Sequence, residues 1–225
     1  FLFVSNQTSK TGVHIHDSID SKRVMFWVIL ALVPALLFGM YNTGYQHYLA
    51  IGLLEDTSFW QVFGWGALAV LPYVVVSYVV GLGIEFIAAQ IKKEEIQEGF
   101  LVTGILIPLI LPIGIPLWMV AVATAFSVIF AKEVFGGTGY NIFNVALITR
   151  AFLFFAYPTK MSGDSVWISL NDYFGFGKAV PAVDGFSGAT PMGQAAIATG
   201  DSLQLTSPLG DPLSWWDMFL GLIPG

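Results

Sequence analysis

The chain has 225 residues, of which 56% are hydrophobic and 11% charged, against roughly a quarter charged in soluble domains. Lipid is the solvent this composition fits. The acidic balance, 15 Asp+Glu against 9 Lys+Arg, supplies no basic patch for nucleic acid, and with 0 Cys neither disulfides nor thiolate-bound metals are available.

A polar N-terminal segment, residues 1–23, shows no cleavable signal pattern. Residues 24–41 and 62–84 are uncharged and apolar, and each approaches the ~20 residues a helix needs to cross ~30 Å of hydrocarbon. A third apolar run, 99–131, is too long for one ordinary crossing and too short for two with a turn. Pro108, Pro112 and Pro116 lie inside it, and each removes a backbone donor and disfavours helix for the residue before it. A short helix over 101–111, a break at 112–116 and a longer helix over 117–132 meet both constraints. Such a break is tolerated at membrane depth only where protein or a water-filled cavity covers the freed backbone. A fifth helix is predicted over 143–157, with Arg150 inside it and Pro158 at its end.

Residues 24–157 therefore read as an all-α transmembrane bundle of about five spanning or half-spanning helices. Residues 215–225 read as the start of a further, truncated helix. Both ends look cut, so a piece of a longer membrane protein is expected. The odd count of spans is consistent with one half of an inverted repeat.

Lys22 and Arg23 precede the first span, Lys92 and Lys93 follow the second, and the loop 42–60 between them has no Lys or Arg. The positive-inside rule then places the N-terminus in the cytoplasm. Five crossings put residues 158–214 on the outer face. Trp60, Trp65, Trp118, Trp167, Trp215 and Trp216 fall near span ends, where an aromatic belt is expected.

Segment 158–214 is rich in Gly, Ser, Asp and Pro and reads as loop with a short helix around 192–198. Inside it stands Asp184-Gly185-Phe186-Ser187-Gly188-Ala189-Thr190. Gly185 and Gly188 let backbone approach a phosphate or enter a modifying enzyme's cleft. Ser187 and Thr190 carry hydroxyls, and Asp184 is suited to fixing the turn. Pro191 biases Thr190 toward extended geometry and is well placed as the first residue of a helix that Thr190 caps. The run resembles the signature at which a transferase joins flavin mononucleotide (FMN) to a threonine hydroxyl through the flavin's phosphate. That resemblance implies covalent FMN on Thr190, with Asp184, Ser187, Gly188 and Ala189 as its motif. An ordinary loop with a helix cap is the plainer reading of Ser-Gly-Ala-Thr-Pro.

Further segments resemble the B-subunit family of the Na+-translocating NADH:quinone oxidoreductases. They include His16-Asp17-Ser18-Ile19-Asp20-Ser21-Lys22-Arg23, Glu98-Gly99-Phe100-Leu101-Val102-Thr103-Gly104, Lys132-Glu133-Val134-Phe135-Gly136-Gly137-Thr138-Gly139, Asn141-Ile142-Phe143-Asn144 and Arg150-Ala151-Phe152-Leu153-Phe154-Phe155-Ala156-Tyr157-Pro158. The resemblance covers nearly all of the chain. It implies a bacterial inner-membrane subunit of a six-subunit complex that oxidises NADH, reduces quinone and exports Na+. The subunit would be inactive alone, and its Thr190 would be modified by a flavin transferase on the outer side. No Gly-x-Gly-x-x-Gly fingerprint is present, so NADH is expected to bind another subunit. The homologous D subunit of Rnf-type ferredoxin:NAD+ oxidoreductases and a non-redox transporter half are the competing expectations.

The resemblance also implies a second, non-covalent flavin, riboflavin, near Gly137, Asn141 and Asn144. Glycines admit a flat ring and the amides suit an isoalloxazine edge, although a Gly-rich turn with Asn caps fits equally. It places a quinone site at Glu98, Gly99 and Phe100, where an acidic helix start is the plainer alternative. Glu85, near the end of an apolar span, matches an acidic position tied to Na+ uptake. An ionisable group there faces a bundle interior or an aqueous path, or else lies at the interface and meets Lys92. No metal-ligand spacing is evident around His14, His16 or His47.

Overall fold

The computed structural model describes residues 12, 21–93, 99–163, 165–169, 191–197, 205–207 and 210–221. Among these, every regular element is helical apart from one isolated antiparallel bridge between Thr206 and Pro212. The first two predicted spans are helices, and longer than expected. α1 covers Ser21–Ala50 (30 residues) and α2 covers Phe59–Lys92 (34 residues). At 1.5 Å per residue these measure about 45 and 51 Å, beyond the ~30 Å of hydrocarbon, so the loop expected over 42–60 shortens to 51–58. Pro34 and Pro72 lie inside these helices and break neither. In apolar surroundings one lost backbone bond costs less than the several exposed by unwinding.

The third apolar run folds as the prolines dictate. α3 covers Phe100–Ile110 and α4 covers Leu117–Ser127. Leu111 and Pro116 are extended at φ/ψ of −100°/144° and −56°/135°. Pro108 is accommodated within α3. α4 continues through a π turn, Val128–Lys132, and a 3-10 turn, Glu133–Phe135. Among the described residues, Leu117–Phe135 is one of three stretches long and apolar enough to cross a membrane, with α2 and Arg23–Ala50. α5, Val145–Ala156, is shorter than its predicted 143–157.

The described chain forms two compact units, to both of which α1 and α2 contribute. One comprises residues 1–37, 71–111 and 115–156. In it, Tyr78 donates to the carbonyl of Leu101 (2.5 Å), Ser77 to that of Gly104 (2.8 Å) and Tyr73 to that of Ile115 (2.7 Å). Numbers falling along α2 meet numbers rising along α3, so the two run antiparallel. The end of α4 meets Glu85 and Lys92, so α4 returns in the direction of α2. α3 and α4 are thus the arms of a hairpin whose free ends lie beside the Lys92 end of α2. α5 packs on α4 through a Ser127–Thr149 hydroxyl contact of 2.6 Å and stacked Phe126 and Phe152 rings, 4.7 Å apart. Arg150 donates to the carbonyl of Ile110, the last residue of α3. A cation there answers the unpaired carbonyls and negative dipole end of a helix that stops among apolar residues.

The other unit comprises residues 38–70, 112–114 and 157–225. Here the end of α1 and the start of α2 touch backbone to backbone. A Cβ on Gly44 would overlap the Val62 carbonyl, and one on Gly66 would overlap that of Met40. Small residues at such crossings are how apolar helices gain contact without a hydrophobic driving force. Trp65, expected in an aromatic belt, is 1% exposed. It stacks on His47 with ring centroids 3.7 Å apart. Trp60, Trp118, Trp167, Trp215 and Trp216 are exposed. Segment 158–214 carries more structure than the predicted loop: α6 (Pro158–Met161), a 3-10 turn at Ser165–Trp167, α7 (Pro191–Ile197) and the bridge. α8, Trp215–Leu220, starts with a capping box in which Ser214 and Asp217 satisfy each other's backbone amides.

Gly66→Leu forces a side chain into the Met40 carbonyl, which cannot move without unwinding α1. Overpacking of this kind costs about 1–3 kcal/mol, read as a fall in the thermal midpoint of the detergent-solubilised protein. Gly64→Leu, at an open position, leaves that midpoint unchanged.

Candidate functional site

The end of the first unit where α2 finishes and α3 begins gathers several of the residues that the sequence marks. Gly81 on α2 lies under the ring of Phe100, where a Cβ would overlap the ring tip. Phe100 is 0% exposed and meets Tyr78 edge to face. Its ring, expected to stack on quinone, is packed on protein here. Gly99 faces the side chain of Thr138 so closely that a Cβ would collide with it. The segment expected to meet quinone and the Gly-rich segment expected to meet riboflavin are therefore neighbours. Glu98 lies outside the described residues.

Gly136, Gly137 and Gly139 have φ of 111°, 96° and 94°, values that L side chains rarely adopt. They turn the chain sharply after α4, and the Gly137 amide closes the turn on the Lys132 carbonyl at 3.0 Å. The asparagines behave as caps. Asn144 accepts from the amides of Ala146 (3.0 Å) and Leu147 (3.2 Å) at the start of α5. Asn141 accepts from the Gly139 amide (3.2 Å) and donates to the Phe143 carbonyl (2.9 Å). The Asn141 amide is thus engaged at both ends, and the glycines supply the side-chain-free surface of this loop.

Glu85 stands one helical turn beyond Gly81. Lys92, the partner expected of an interfacial Glu85, is not the residue it meets. Glu85 is 4% exposed and ion-pairs with Lys132, itself 4% exposed, while Lys92 pairs with Glu133 at 2.8 Å, nearer solvent. Two consecutive residues of opposite charge, Lys132 and Glu133, thus bind two residues of α2 set two turns apart. The π turn, which adds a residue to the helical ladder, delivers Lys132 to this position. One carboxylate oxygen of Glu85, Oε2, is buried with no hydrogen-bond partner among the described residues. Neither Lys132 nor this pairing is legible from the sequence beyond a charge pair, Lys132-Glu133, that closes a long apolar run.

The flavin motif, Asp184 through Thr190, lies outside the described residues, but its successor does not. Thr190 directly precedes α7. In α7, Gln194 donates to the Thr206 carbonyl (2.7 Å) and accepts from the Thr206 amide (2.9 Å). Thr206 belongs to a tight bridge in which Ser207 donates to Asp211 (2.7 Å) and Leu213 to Leu205 (2.8 Å). The helix that follows the motif is thus tied down by a two-way side-chain clamp. His47, for which the sequence suggests no role, donates through Nδ1 to the carbonyl of Ser169 (2.7 Å) and holds the start of this segment to α1.

Comparison with known proteins places the chain in a family. A family model described as the NQR2, RnfD, RnfE family matches residues 8–225. The chain belongs to this family. The B subunit of the Na(+)-translocating NADH-quinone reductase of Ectopseudomonas mendocina (strain ymp) is 42% identical over 246 residues, covering 100% of this chain and 57% of that protein. The same-named proteins of Pseudomonas aeruginosa (strain LESB58) and Klebsiella pneumoniae subsp. pneumoniae are each 40% identical, with 57% and 58% of their lengths covered. The chain thus spans a little over half the length of the curated relatives it matches. Membership of the family and the apolar helices together make it a multi-pass membrane protein.

Phe100→Ala removes a fully buried ring and costs about 3–5 kcal/mol, whereas Glu133→Gln, which weakens a pair open to solvent, costs about 1 kcal/mol or less. Denaturant unfolding in detergent separates the two. Equal losses would mean that Phe100 does not carry the packing of this end.

Proposed function

We propose that this chain is part of a membrane redox subunit of a Na+-pumping NADH:quinone oxidoreductase. In this reading it carries FMN esterified to Thr190 and passes electrons toward quinone, coupled to Na+ export. The observation that carries the reading is the full Asp-Gly-x-Ser-Gly-Ala-Thr run ending at Thr190, in a chain whose relatives bear the name of a component of such a reductase. The clamp of Gln194 on Thr206 supports it, since a threonine modified by a transferase needs a firm base and an accessible hydroxyl. The flavin supplies one- and two-electron chemistry; the chain's part is to tether it by Thr190 and to surround it with Asp184, Ser187, Gly188 and Ala189. The partners are the other subunits of a six-subunit complex, quinone, Na+ and, during maturation, the flavin transferase.

In the same reading the membrane is the bacterial inner membrane, with the N-terminus cytoplasmic and Thr190 on the outer face. The side of Lys92, Lys93 and Lys132 is then the cytoplasmic one. Riboflavin is proposed against the Gly136–Gly137 turn, whose glycines leave room for a flat ring. Since the amides of Asn141 and Asn144 hold the loop and the start of α5, their contribution to riboflavin is chiefly the shape of that turn. Quinone is proposed at the adjoining Glu98, Gly99 and Phe100, and a monovalent cation at Glu85. The family also includes RnfD by description, so an Rnf-type ferredoxin:NAD+ oxidoreductase subunit with the same flavin is the second reading.

Mass spectrometry of the mature protein is expected to find an FMN-sized addition on the peptide containing Thr190. Denatured protein should fluoresce in a gel under blue light, and Thr190→Ala should abolish the signal. An unmodified Thr190 peptide from the native host defeats the flavin reading. Asn141→Ala should release the non-covalent flavin while covalent fluorescence persists.

A further inference from the structure

We propose that Lys132 is a tethered cation that competes with a transported monovalent cation for the Glu85 carboxylate. The inference rests on the ion-pump reading above and assigns a residue that reading does not use.

Three observations carry it. First, Glu85 and Lys132 are both almost wholly buried and ion-paired, with side chains 3% and 5% exposed. An internal ammonium so placed neutralises a carboxylate that apolar surroundings would otherwise not tolerate ionised. Second, the carboxylate is only half used, since Oε2 is buried with no partner among the described residues. A hard oxygen in that state is the ligand type a small monovalent cation seeks. Third, Lys132 closes a π turn, a local irregularity that costs regular helical bonding and recurs at functional positions.

A second seat for the displaced ammonium, at Glu133, is part of this proposal. Glu133 is the next residue, and its present partner Lys92 is 33% exposed, so that outer pair opens into water easily. With a cation on Glu85, Lys132 swings to Glu133 and Lys92 is released to solvent. With no cation, Lys132 returns and the site holds no net charge. Either state leaves one positive charge beside Glu85, and the unpaired carboxylate is never exposed to the apolar interior. The device makes the carboxylate's affinity for a cation depend on how firmly the lysine holds it. A plain structural ion pair would show no such dependence.

The test uses the assembled complex purified from its host, with quinone reduction driven by NADH and Na+ titrated against choline. If the ammonium occupies the site about nine-tenths of the time, Lys132→Gln lowers the half-saturating Na+ concentration about tenfold, while Lys132→Arg does not lower it. The Glu85→Gln/Lys132→Gln double variant loses that gain. Thermal stability of Lys132→Gln should rise with Na+ and not with choline. Should that variant fail to assemble, labelling of the wild-type complex with an amine-reactive reagent decides, because Na+ should increase modification of Lys132 relative to choline. An unchanged or raised half-saturating Na+ concentration in Lys132→Gln, or Lys132 labelling indifferent to Na+, overturns the inference while a Na+-dependent wild-type rate leaves the pump reading standing. A wild-type rate indifferent to Na+ overturns both.

Discussion

Charge is scarce in this chain, and the apolar interior of the first unit admits it only in pairs. That constraint decides where α4 ends. A lysine placed among Val128, Ala131 and the neighbouring helices would be intolerable alone, and a glutamate at position 85 equally so. Each makes the other possible, and in doing so they fix the height of α4 against α2. Glu133 and Lys92 repeat the contact with polarity reversed and with far more water about them. The inner pair therefore sets the register and the outer pair adds little energy. The turn of glycines that follows, and hence the meeting of Gly99 with Thr138, depends on α4 arriving at that height.

The second unit solves a different problem. The end of α1 and the start of α2 have few charges to lock them, so they lock by shape. Gly44 and Gly66 each admit the other helix's carbonyl, which brings His47 and Trp65 near enough to stack. Thr43 bonds back to the Gly39 carbonyl at 2.8 Å, so its hydroxyl is satisfied within α1. The stacked pair in turn presents Nδ1 of His47 to Ser169. A close approach of two backbones thus ends in the anchoring of a polar segment.

Much of this is legible in the sequence, and the boundary of legibility has a physical meaning. Proline spacing yields α3, the break and α4 almost to the residue, because a missing donor acts locally. The same rule overstates Pro34 and Pro72, which lie in helices too apolar to unwind. The span ends fall short in the sequence reading because Asn42, His47 and Lys92 resemble loop residues. In the structure they continue the helices, with His47 buried and Lys92 paired across to Glu133. Trp65 departs from the belt for a similar reason: nearness to a span end says nothing about which way a side chain faces. The partners of Glu85 and Arg150 are beyond reach of any local rule, since Lys132 and Ile110 lie far along the chain. The nearest lysine in sequence, Lys92, is the wrong one. The run 184–190, which resembles a flavin-attachment signature, is legible as residue types alone, and the structure adds the clamp of Gln194 on Thr206 in the helix that follows it.

Within the proposed reading, the buried pair bears on one question, how a change of charge on a bound group could be felt by a bound ion. Coupling requires an element with two discrete arrangements that both sites bias. A salt bridge with a half-used carboxylate would be such an element if Lys132 exchanges between Glu85 and Glu133 as proposed, whereas a packed ring such as Phe100 is not. The charged groups able to rearrange, Glu85, Lys132, Glu133 and Lys92, all sit beside the Gly-rich turn and the start of α3. A change of charge on a group bound at that turn would act on Lys132 through space, without the helices moving. Repulsion or attraction of the ammonium would shift the balance between its two carboxylates by the same free energy with which a bound cation would shift the charge on the group. In the proposed reading, reciprocity of this kind is what couples redox change to ion movement, and these four side chains are where it would act.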